Sequence, residues 1–297
     1  MLLVVGEALV DLVIAPDGSV EAALGGAPFN TARAASRLGA EVTFYGALST
    51  DRFGTQLDGK MAADGVDTLL APRVDAPTTL AAAEIDDGGA ATYRFYLDGT
   101  SAPQLADWPA MEPNAVFTGG LGLVLEPMAT TVVNGLEHRR PNSLVMIDVN
   151  ARPLVVTDRE RYVERVSEAL RRADVVKVSD EDLAFLGPDV SVRSILDGGA
   201  GAVIVTAGSA PTGVFTSDRS LTVDVPAPPG PVVDTIGAGD TFGGGVIAEL
   251  LRAKTGPDHI RAEDGIDRLR RAVEFGTRAA GVVVTRRGAD PPTRDEL

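Results

Sequence analysis

Short, almost wholly apolar segments alternate with longer segments rich in Ala, Leu and Arg along most of this 297-residue chain. Apolar runs of this kind are typical of strands that helices cover on both faces, as in a parallel sheet. The alternation therefore predicts an α/β fold with a doubly wound, mostly parallel sheet flanked by helices. In such a sheet, ligands bind beyond the carboxyl ends of the strands.

The same pattern gives the expected bounds of the main elements. The predicted strands are 2–5, 42–46, 115–118, 143–149, 175–178 and 202–206. The predicted helices are 28–38, 52–64, 127–137, 159–172, 180–186, 241–254 and 266–280.

One region departs from this alternation. The segments 78–85 and 91–97 are strand-like and flank a DDGG turn at 86–89, which predicts a β-hairpin. Together with 10–14 and the turn at 17–18, the hairpin is expected to form a small projecting sheet. We predict that the whole chain, 1–297, is a single domain with a lid made of segments near 10–24 and 77–98.

The composition excludes several kinds of site. The chain has no cysteine, which rules out disulfides, thiolate nucleophiles and Cys-ligated metals. Its two histidines, His138 and His259, are too few for a His-rich metal site. A Ser-His-Asp hydrolase would have to use one of them, and the sequence has no G-x-S-x-G turn.

The net charge of the chain disfavours some classes of binding partner. There are 27 Lys and Arg against 42 Asp and Glu, which gives a net charge of −15. Such a surface disfavours nucleic acid and anionic membranes. The first residues carry Glu7 and Asp11 inside an apolar run, which predicts a strand and turn rather than a signal peptide, and no stretch is apolar enough to span a membrane. We therefore expect a cytoplasmic enzyme that acts on a small molecule.

The most informative segment is 232–251, with the sequence VVDTIGAGDTFGGGVIAELL. The amides of Gly237, Ala238 and Gly239 can form an anion-binding nest at the positive end of the following helix. Asp240 is then either an N-cap or a general base beside the bound anion. Three further glycines at 243–245 favour a close contact, since glycines are costly in a helix unless something packs or binds near them. Neither the P-loop motif nor the dinucleotide motif G-x-G-x-x-G is present.

A second glycine-rich segment, 25–54, begins GGAPFN and contains the start of another predicted helix. Gly25 and Gly26 open this helix, and Asn30 falls on its first turn. The pattern fits a tight turn followed by a polar N-terminal residue, or a ligand-binding turn. Asp11, just past the first strand, is either a surface or capping acid or a group that accepts hydrogen bonds from ligand hydroxyls.

Together, these segments resemble the ribokinase-like (PfkB-type) carbohydrate kinases along essentially the whole chain. Residues 25–54 are similar to the N-terminal signature of the family, and DTIGAGDTFG at 234–243 is similar to its C-terminal signature, a string that is rare elsewhere. The segments most similar to the fructokinase branch are GEALVD at 6–11, GGAPFN at 25–30, YRFYLDGT at 93–100 and DVNARP at 148–153. The resemblance implies a ribokinase-like fold and ATP-dependent phosphorylation of a sugar hydroxyl.

The resemblance also implies roles for individual residues. Asp240 would take the proton of the attacking hydroxyl, and Gly237, Ala238 and Gly239, with the Asp240 amide, would form the anion hole for the transferred phosphoryl group. The hairpin would close over the sugar and exclude water. The implied sugar-binding residues are Asp11, Gly25, Gly26, Asn30, Phe95, Asn150 and Arg152.

The implied cofactors are ATP, Mg²⁺ and a monovalent cation, K⁺. Asp182 lies where the family carries a motif linked to hydrated Mg²⁺, although its segment SDED equally fits a helix N-terminus with acids that complement the dipole. Asp234 matches a position associated with the monovalent cation. Lys177 closes a buried strand and is either a nucleotide contact or a strand-end charge. The implied nucleotide-binding residues are Lys177, Thr206, Gly208, Gly213, Gly237, Gly239 and Thr277.

The sequence is compatible with more than one sugar as the phosphoryl acceptor. Fructose is the expected acceptor, and 2-keto-3-deoxygluconate, ribose and a nucleoside are the alternatives. A keto acid would need an arginine near its carboxylate, and Arg94 in the hairpin is a candidate. A catalytically silent binding protein of the same fold is the alternative from another class, although the base and the glycine nest are both intact. The chain is expected to be a monomer or a homodimer formed through the exposed lid edges.

Overall fold

The computed structural model describes residues 1–86, 88, 91–137 and 141–297. Two residues of the predicted DDGG turn, Asp87 and Gly89, and the histidine His138 lie outside this range. The strands are β1 (Leu2–Val5), β2 (Leu9–Ile14), β3 (Val20–Gly25), β4 (Val42–Tyr45), β5 (Leu48–Ser49), β6 (Val66–Asp67), β7 (Arg73–Val74), β8 (Leu80–Ile85), β9 (Ala91–Tyr96), β10 (Ala115–Gly119), β11 (Leu144–Asp148), β12 (Val175–Ser179), β13 (Ala202–Ala207), β14 (Ala210–Phe215) and β15 (Ser220–Val223). The helices are α1 (Ala27–Arg37), α2 (Arg52–Ala63), α3 (Met128–Glu137), α4 (Arg159–Leu170), α5 (Asp180–Leu186), α6 (Val192–Asp197), α7 (Ala238–Arg252), α8 (Pro257–Arg261) and α9 (Gly265–Val283), with 3₁₀ turns at Gly120–Leu123 and Arg294–Glu296.

The main sheet has the strand order β15-β14-β13-β12-β11-β10-β1-β4-β6. The strands from β13 to β6 pair in parallel, and β14 and β15 add an antiparallel edge. Successive residues of β1 enter two different cores: Leu2 and Val4 pack on one face and Leu3 and Val5 on the other. The first core includes residues of α1, α7 and α9, and the second includes residues of α3 and α4. The predicted doubly wound fold is therefore confirmed.

A smaller sheet, with the order β3-β2-β8-β9, stands beside the main one. β2 pairs antiparallel to β3 and parallel to β8, and β8 pairs antiparallel to β9. The predicted hairpin and the segment near 10–24 therefore belong to one sheet. β5 and β7 form a separate two-stranded sheet.

The glycines at the start of α7 serve helix packing. A Cβ atom on Gly244 would lie 2.8 Å from the Cβ of Ala34 in α1, and one on Gly245 would lie 2.7 Å from the Cα of Gly276 in α9. α7 is therefore packed against two helices at backbone distance, which fixes the position of its N-terminus relative to α1. None of the described helices is both long and apolar enough to cross a bilayer.

Candidate active site

A cavity of about 460 Å³ lies where the strand ends of the main sheet, the N-terminus of α7 and one face of the small sheet meet. The loops after β1 and β11 enter it, as do the first turns of α1 and α7. This is the edge of the sheet at which the strand pattern predicts ligand binding. Its polar and aromatic lining includes Glu7, Asp11, Asn30, Phe95, Arg152 and Asp240.

The N-terminus of α7 presents unsatisfied amides to this region. The helix begins at Ala238, three residues before the predicted start, so that Gly237 is its N-cap in the left-handed conformation, with φ of 74°. A Cβ on Gly237 would also lie 2.5 Å from the Cβ of Ala289, so both sterics and φ require glycine. The Ala238 amide donates to the Thr235 carbonyl at 3.2 Å, whereas the amides of Gly237, Gly239 and Asp240 have no acceptor among the described residues. The nest therefore differs from the predicted one, because the Ala238 amide is engaged in a turn.

Asp240 lies in the first turn of α7, and its carboxylate is buried in the cavity wall. Asn30 Nδ2 donates to its Oδ2 at 2.9 Å, and Asn150 Nδ2 approaches its Oδ1 at 3.5 Å. Burial raises the pKa of Asp240 to about 6, against the lowering effect of the Asn30 hydrogen bond. A carboxylate with this pKa is ionised at neutral pH and is a stronger base than an exposed one.

A buried ion pair lies beside the α7 amides. Lys177 and Asp148 are register partners on β12 and β11, and the Lys177 ammonium donates to both carboxylate oxygens at 2.8 Å. Burial raises the pKa of Asp148, and the neighbouring ammonium opposes that rise. A Cβ on Gly239 would lie 3.7 Å from Lys177 Nζ, so a positive charge borders the free amides.

The loop after β11 carries two of the predicted sugar-binding residues. Asn150 adopts a positive φ of 39°, and its side-chain oxygen accepts a hydrogen bond from Arg152. Asp182 holds this loop in place: its carboxylate accepts the amides of Ala151 at 2.7 Å and Ser179 at 2.8 Å, the latter as part of a capping box on α5. Both oxygens of Asp182 therefore serve the backbone.

Asp11 and the glycine pair form the side of the cavity next to the small sheet. A Cβ on Gly25 would lie 2.2 Å from Asp11 Oδ2, so Gly25 makes room for that carboxylate. Gly26 has φ of 108° and lies against the Glu7 carbonyl, where a Cβ would come within 2.8 Å. Burial raises the pKa of Asp11 to about 6, and Arg152 opposes the rise.

Glu7 and Tyr93 also line the cavity, although the sequence analysis assigned neither of them to the site. Glu7 lies two residues beyond the end of β1, after Gly6, and an acid just past the carboxyl end of a strand in a parallel sheet is the signal that could have found it. Tyr93 lies two residues from Phe95 on β9, so both face the cavity. Arg94, between them, faces away and pairs with Glu84 at 2.9 Å. The expectation that Arg94 is available for a substrate carboxylate is therefore wrong.

Four of the predicted nucleotide-binding residues, Thr206, Gly208, Gly213 and Thr277, lie on β13, in the turn after it, on β14 and on α9. Thr206 pairs with Ser179 at the end of β13, and Gly208 lies in the exposed turn before β14 with φ of 57°. Thr277 is buried in α9, and its hydroxyl has no partner in the part of the chain that the structure describes. Gly213 is different: it lies inside β14, where a Cβ would meet the Phe215 ring at 2.6 Å, so ring packing accounts for this glycine.

The Asp234 side chain links the segment before α7 to the loop after α9 through hydrogen bonds. Its carboxylate accepts the amide of Ile236 at 2.9 Å and that of Gly288 at 3.0 Å. The described residues contain no cluster of three or more Asp, Glu or His side chains suited to a metal ion.

A doubly wound sheet with a carboxylate and free helix-terminal amides at its carboxyl edge is the arrangement of a ribokinase-like phosphotransferase. The chain belongs to the pfkB family of carbohydrate kinases, whose family model matches residues 1–296. It is 34% identical to a fructokinase of Rhizobium leguminosarum bv. trifolii over 84% of this chain and 79% of that protein. It is 28% identical to a fructokinase of Vibrio alginolyticus over 99% of this chain and 96% of that protein.

Two solved structures show the same fold. A fructokinase from Xylella fastidiosa with bound ATP superposes with a TM-score of 0.84 at 26% identity, covering 97% of this chain and 93% of that one. A fructokinase from Vibrio cholerae O395 with fructose, ADP and calcium superposes with a TM-score of 0.82 at 25% identity, covering 97% and 94% of the two chains.

Proposed function

We propose that this chain transfers the γ-phosphoryl group of ATP to a hydroxyl of fructose. The observation that carries the proposal is the pairing, at one cavity wall, of the buried Asp240 carboxylate with the free amides of Gly239 and Asp240. Phosphoryl transfer chiefly needs alignment and charge stabilisation, which these groups supply without moving.

In this reaction Asp240 is the general base. The attacking sugar oxygen loses its proton to the Asp240 carboxylate, its lone pair forms the new O–P bond, and the bond from the γ-phosphorus to the bridging oxygen breaks, leaving ADP. Asn30 holds the carboxylate from the side of Oδ2. Among the described residues the other oxygen, Oδ1, has only the long contact to Asn150, and it is the better placed to receive the proton.

The transferred phosphoryl group is held at the start of α7. Its oxygens accept hydrogen bonds from the Gly239 and Asp240 amides, and the positive end of the helix dipole favours its charge. The Lys177 ammonium borders Gly239 and adds a full positive charge, which Asp148 keeps in place through two hydrogen bonds.

An uncharged sugar fits the cavity better than a sugar acid. Among the described residues, three with carboxyl groups, Glu7, Asp11 and Asp240, line the cavity, against one with a guanidinium, Arg152. Arg94, the other candidate partner for a substrate carboxylate, faces away from the cavity and is paired. Hydroxyl groups can donate hydrogen bonds to carboxylates, whereas a substrate carboxylate would meet a net negative wall.

The nucleotide is proposed to lie between the turn containing Gly208, the N-terminus of α7 and Thr277 of α9. The chain offers Mg²⁺ no direct ligand cluster among the described residues, since Asp182 is engaged by two amides and Asp148 by Lys177. Mg²⁺, which neutralises phosphate charge when bound, would therefore be held by the nucleotide phosphates and water, with Asp182 in contact through a water molecule. K⁺ is proposed to lie at the turn that Asp234 ties to Gly288.

We also propose that the chain acts as one domain in which the small sheet is a lid. Tyr93 and Val13 on this sheet are exposed at the cavity, opposite the exposed Leu154 and Ile236 of the main body. Closure would bury these apolar groups and exclude water from the reacting phosphate. The free edges of the same sheet are the surface through which a homodimer would form.

The test is a coupled ADP assay with fructose, ribose, 2-keto-3-deoxygluconate and adenosine as acceptors. We expect fructose to have the highest kcat/KM. Asp240→Asn should lower kcat by about 10²- to 10⁴-fold, the usual contribution of a general base, while the thermal unfolding profile stays that of a folded protein. Turnover of Asp240→Asn at the wild-type rate would contradict the base assignment, and an inert wild-type enzyme would contradict the proposed function.

A further inference from the structure

Arg33 is a buried arginine on α1, one turn after Asn30, and it is 2% exposed. Its Nε donates to the Asp64 carboxylate at 2.6 Å, and its Nη1 donates to the main-chain oxygen of Ala289 at 2.9 Å. Asp64 is the residue at which α2 ends, and Ala289 lies in the loop after α9. The guanidinium of Arg33 therefore ties α1 to the end of one helix and to the loop that follows another.

The ion pair between Arg33 and Asp64 is costly to bury. The two side chains are 3% and 6% exposed, so both charges have lost most of their contact with water. Asp64 is also the C-cap of α2, where the helix dipole disfavours a carboxylate. Replacing a buried ion pair by packed apolar side chains is often neutral or stabilising. The pair is therefore better explained by a third group that it positions, and Arg33 bonds to such a group, the carbonyl of Ala289.

Ala289 is the residue against which the N-cap of α7 packs. A Cβ on Gly237 would lie 2.5 Å from the Ala289 Cβ and 3.1 Å from its Cα, so the two main chains are in close contact. The residue before Ala289, Gly288, is tied by its amide to Asp234 at 3.0 Å, just ahead of the same N-cap. The position of the amides that open α7 therefore depends on where this loop is held.

We propose that Arg33 is a positioning residue for phosphoryl transfer, which acts through Ala289 on the amides of Gly239 and Asp240. The proposal rests on the proposed function and adds to it the support of the anion-binding amides. Electrostatic stabilisation of a transferred group is most effective when its donors need not reorganise during the reaction. α1 then serves the site twice: Asn30 bonds to the Asp240 carboxylate, and Arg33 fixes the loop beside the N-cap.

The first experiment compares Arg33→Met with the wild type in the coupled ADP assay, well below the unfolding midpoint of both proteins. Met keeps an unbranched apolar stem but removes both hydrogen bonds, so the Ala289 carbonyl loses its donor. We expect kcat for fructose to fall about 10- to 100-fold, as a small displacement of transition-state donors does, while KM for fructose and for ATP changes less than about threefold. A purely structural role would lower the unfolding midpoint and leave kcat unchanged.

Arg37→Met is the matched control. Arg37 lies one turn further along α1 and donates to the same Asp64 carboxylate at 3.2 Å; its other hydrogen bond among the described residues goes to the Asp290 side chain at 3.5 Å. This variant loses the same charge but leaves the bond from Arg33 to Ala289 in place. We expect its unfolding midpoint to fall while its kcat stays within about twofold of the wild-type value.

Two results would overturn the proposal: a wild-type kcat in Arg33→Met, or an equal loss of kcat in Arg33→Met and Arg37→Met. Either result leaves the kinase function standing, because that function is tested by turnover of the wild type alone.

A binding measurement tests the same point without turnover. Aluminium fluoride, added with ADP and fructose, mimics the transferred phosphoryl group and has to bond to the amides that open α7, whereas ADP alone leaves that position empty. Arg33→Met should bind ADP as the wild type does and should lose about tenfold or more in affinity for the aluminium fluoride complex. Equal affinities of the two proteins for that complex would count against the proposal.

Ala289→Gly covers the case in which Arg33→Met does not fold. It removes the Cβ that meets Gly237 and leaves the main-chain oxygen that Arg33 holds. We expect kcat to fall about 3- to 10-fold with little change in KM for fructose. An Ala289→Gly variant with the wild-type kcat would show that this contact does not set the position of the amides, and it would refute the proposal.

Discussion

The hydrogen bond from Asn30 to Asp240 provides a direct test of the base assignment. Asn30 Nδ2 lies 2.9 Å from Asp240 Oδ2 in a buried setting, and it stabilises the ionised carboxylate against the effect of burial. The Asn30→Leu substitution removes this donor with a side chain of similar size, so water has little room to replace it. The pKa of Asp240 should then rise from its present value of about 6.

The size of the rise follows from the strength of the bond. A hydrogen bond to a charged group contributes about 1.5–3 kcal/mol, which corresponds to a pKa increase of about 1 to 2. The acid limb of the pH profile of kcat/KM for fructose should move to higher pH by the same number of pH units. At pH 7 the ionised fraction of Asp240 would fall from about nine-tenths to between about one-half and one-tenth, and activity should recover as the pH approaches 9.

The assay is coupled ADP detection from pH 5 to 9.5, with each profile normalised to its own plateau. Normalisation separates the pKa effect from any loss of sugar contact by Asn30. Thr31→Val is the matched control, because the Thr31 hydroxyl approaches the main-chain oxygen of Asp240 at 3.4 Å and not its carboxylate. An acid limb in Asn30→Leu that coincides with those of the wild type and Thr31→Val would refute the assignment of the limb to Asp240.

Two further predictions concern the groups around this site. Lys177→Met leaves the Asp148 carboxylate buried without its cation and should lower the free energy of unfolding, measured by urea titration, by about 3–5 kcal/mol. Adding Asp148→Asn to this variant should restore much of the loss. A Lys177→Met variant as stable as the wild type would contradict this prediction. Gly245→Ala forces a Cβ to within 2.7 Å of the Gly276 Cα and should cost about 1–3 kcal/mol, whereas Gly243→Ala meets only the Phe117 ring at 3.5 Å and should be neutral or stabilising. Thermal unfolding compares the two, and equal effects would show that α7 is not pressed against α9.

The strands of the main sheet were predictable because burial on both faces makes them continuously apolar. Segments 2–5, 115–118 and 175–178 all lie within observed strands. The antiparallel edge was not predicted: β14 and β15 have mixed sequences, APTGVF and SLTV, since only part of each is buried. The start of α7 was placed three residues late, because two glycines flanking an alanine are typical of a turn. Gly237 does adopt a left-handed turn conformation, but it is the N-cap, and the helix already begins at Ala238.

Site residues that belong to a sequence motif were predictable. Those that the register of neighbouring strands brings together were less so. Asp240 and Gly237 stand in a recognisable string, and the structure brings both to the cavity. The pairing of Lys177 with Asp148 depends on the register of two adjacent strands, which no local pattern records. Glu7 was missed for a related reason: an acid among apolar residues is ordinary in sequence, and its burial beside the cavity becomes visible only when Gly26 and Gly120 pack against it.

The position of Glu7 also has a consequence for stability. Its pKa is about 7 in the folded chain against an ordinary value of 4.5, so the unfolded chain releases this proton at lower pH. The stabilising effect of the protonated group is complete below pH 4.5 and is lost as the pH rises through 7, which amounts to about 3 kcal/mol for one buried group. Glu7→Gln should therefore be more stable than the wild type at pH 8.5 by a few kcal/mol, with little or no gain at pH 4.5. Urea titrations at the two pH values measure this difference, and an equal gain at both would mean that charge burial is not its source. A gain confined to high pH would show that the chain keeps an acid whose ionised form opposes folding, so that this position is not optimised for stability.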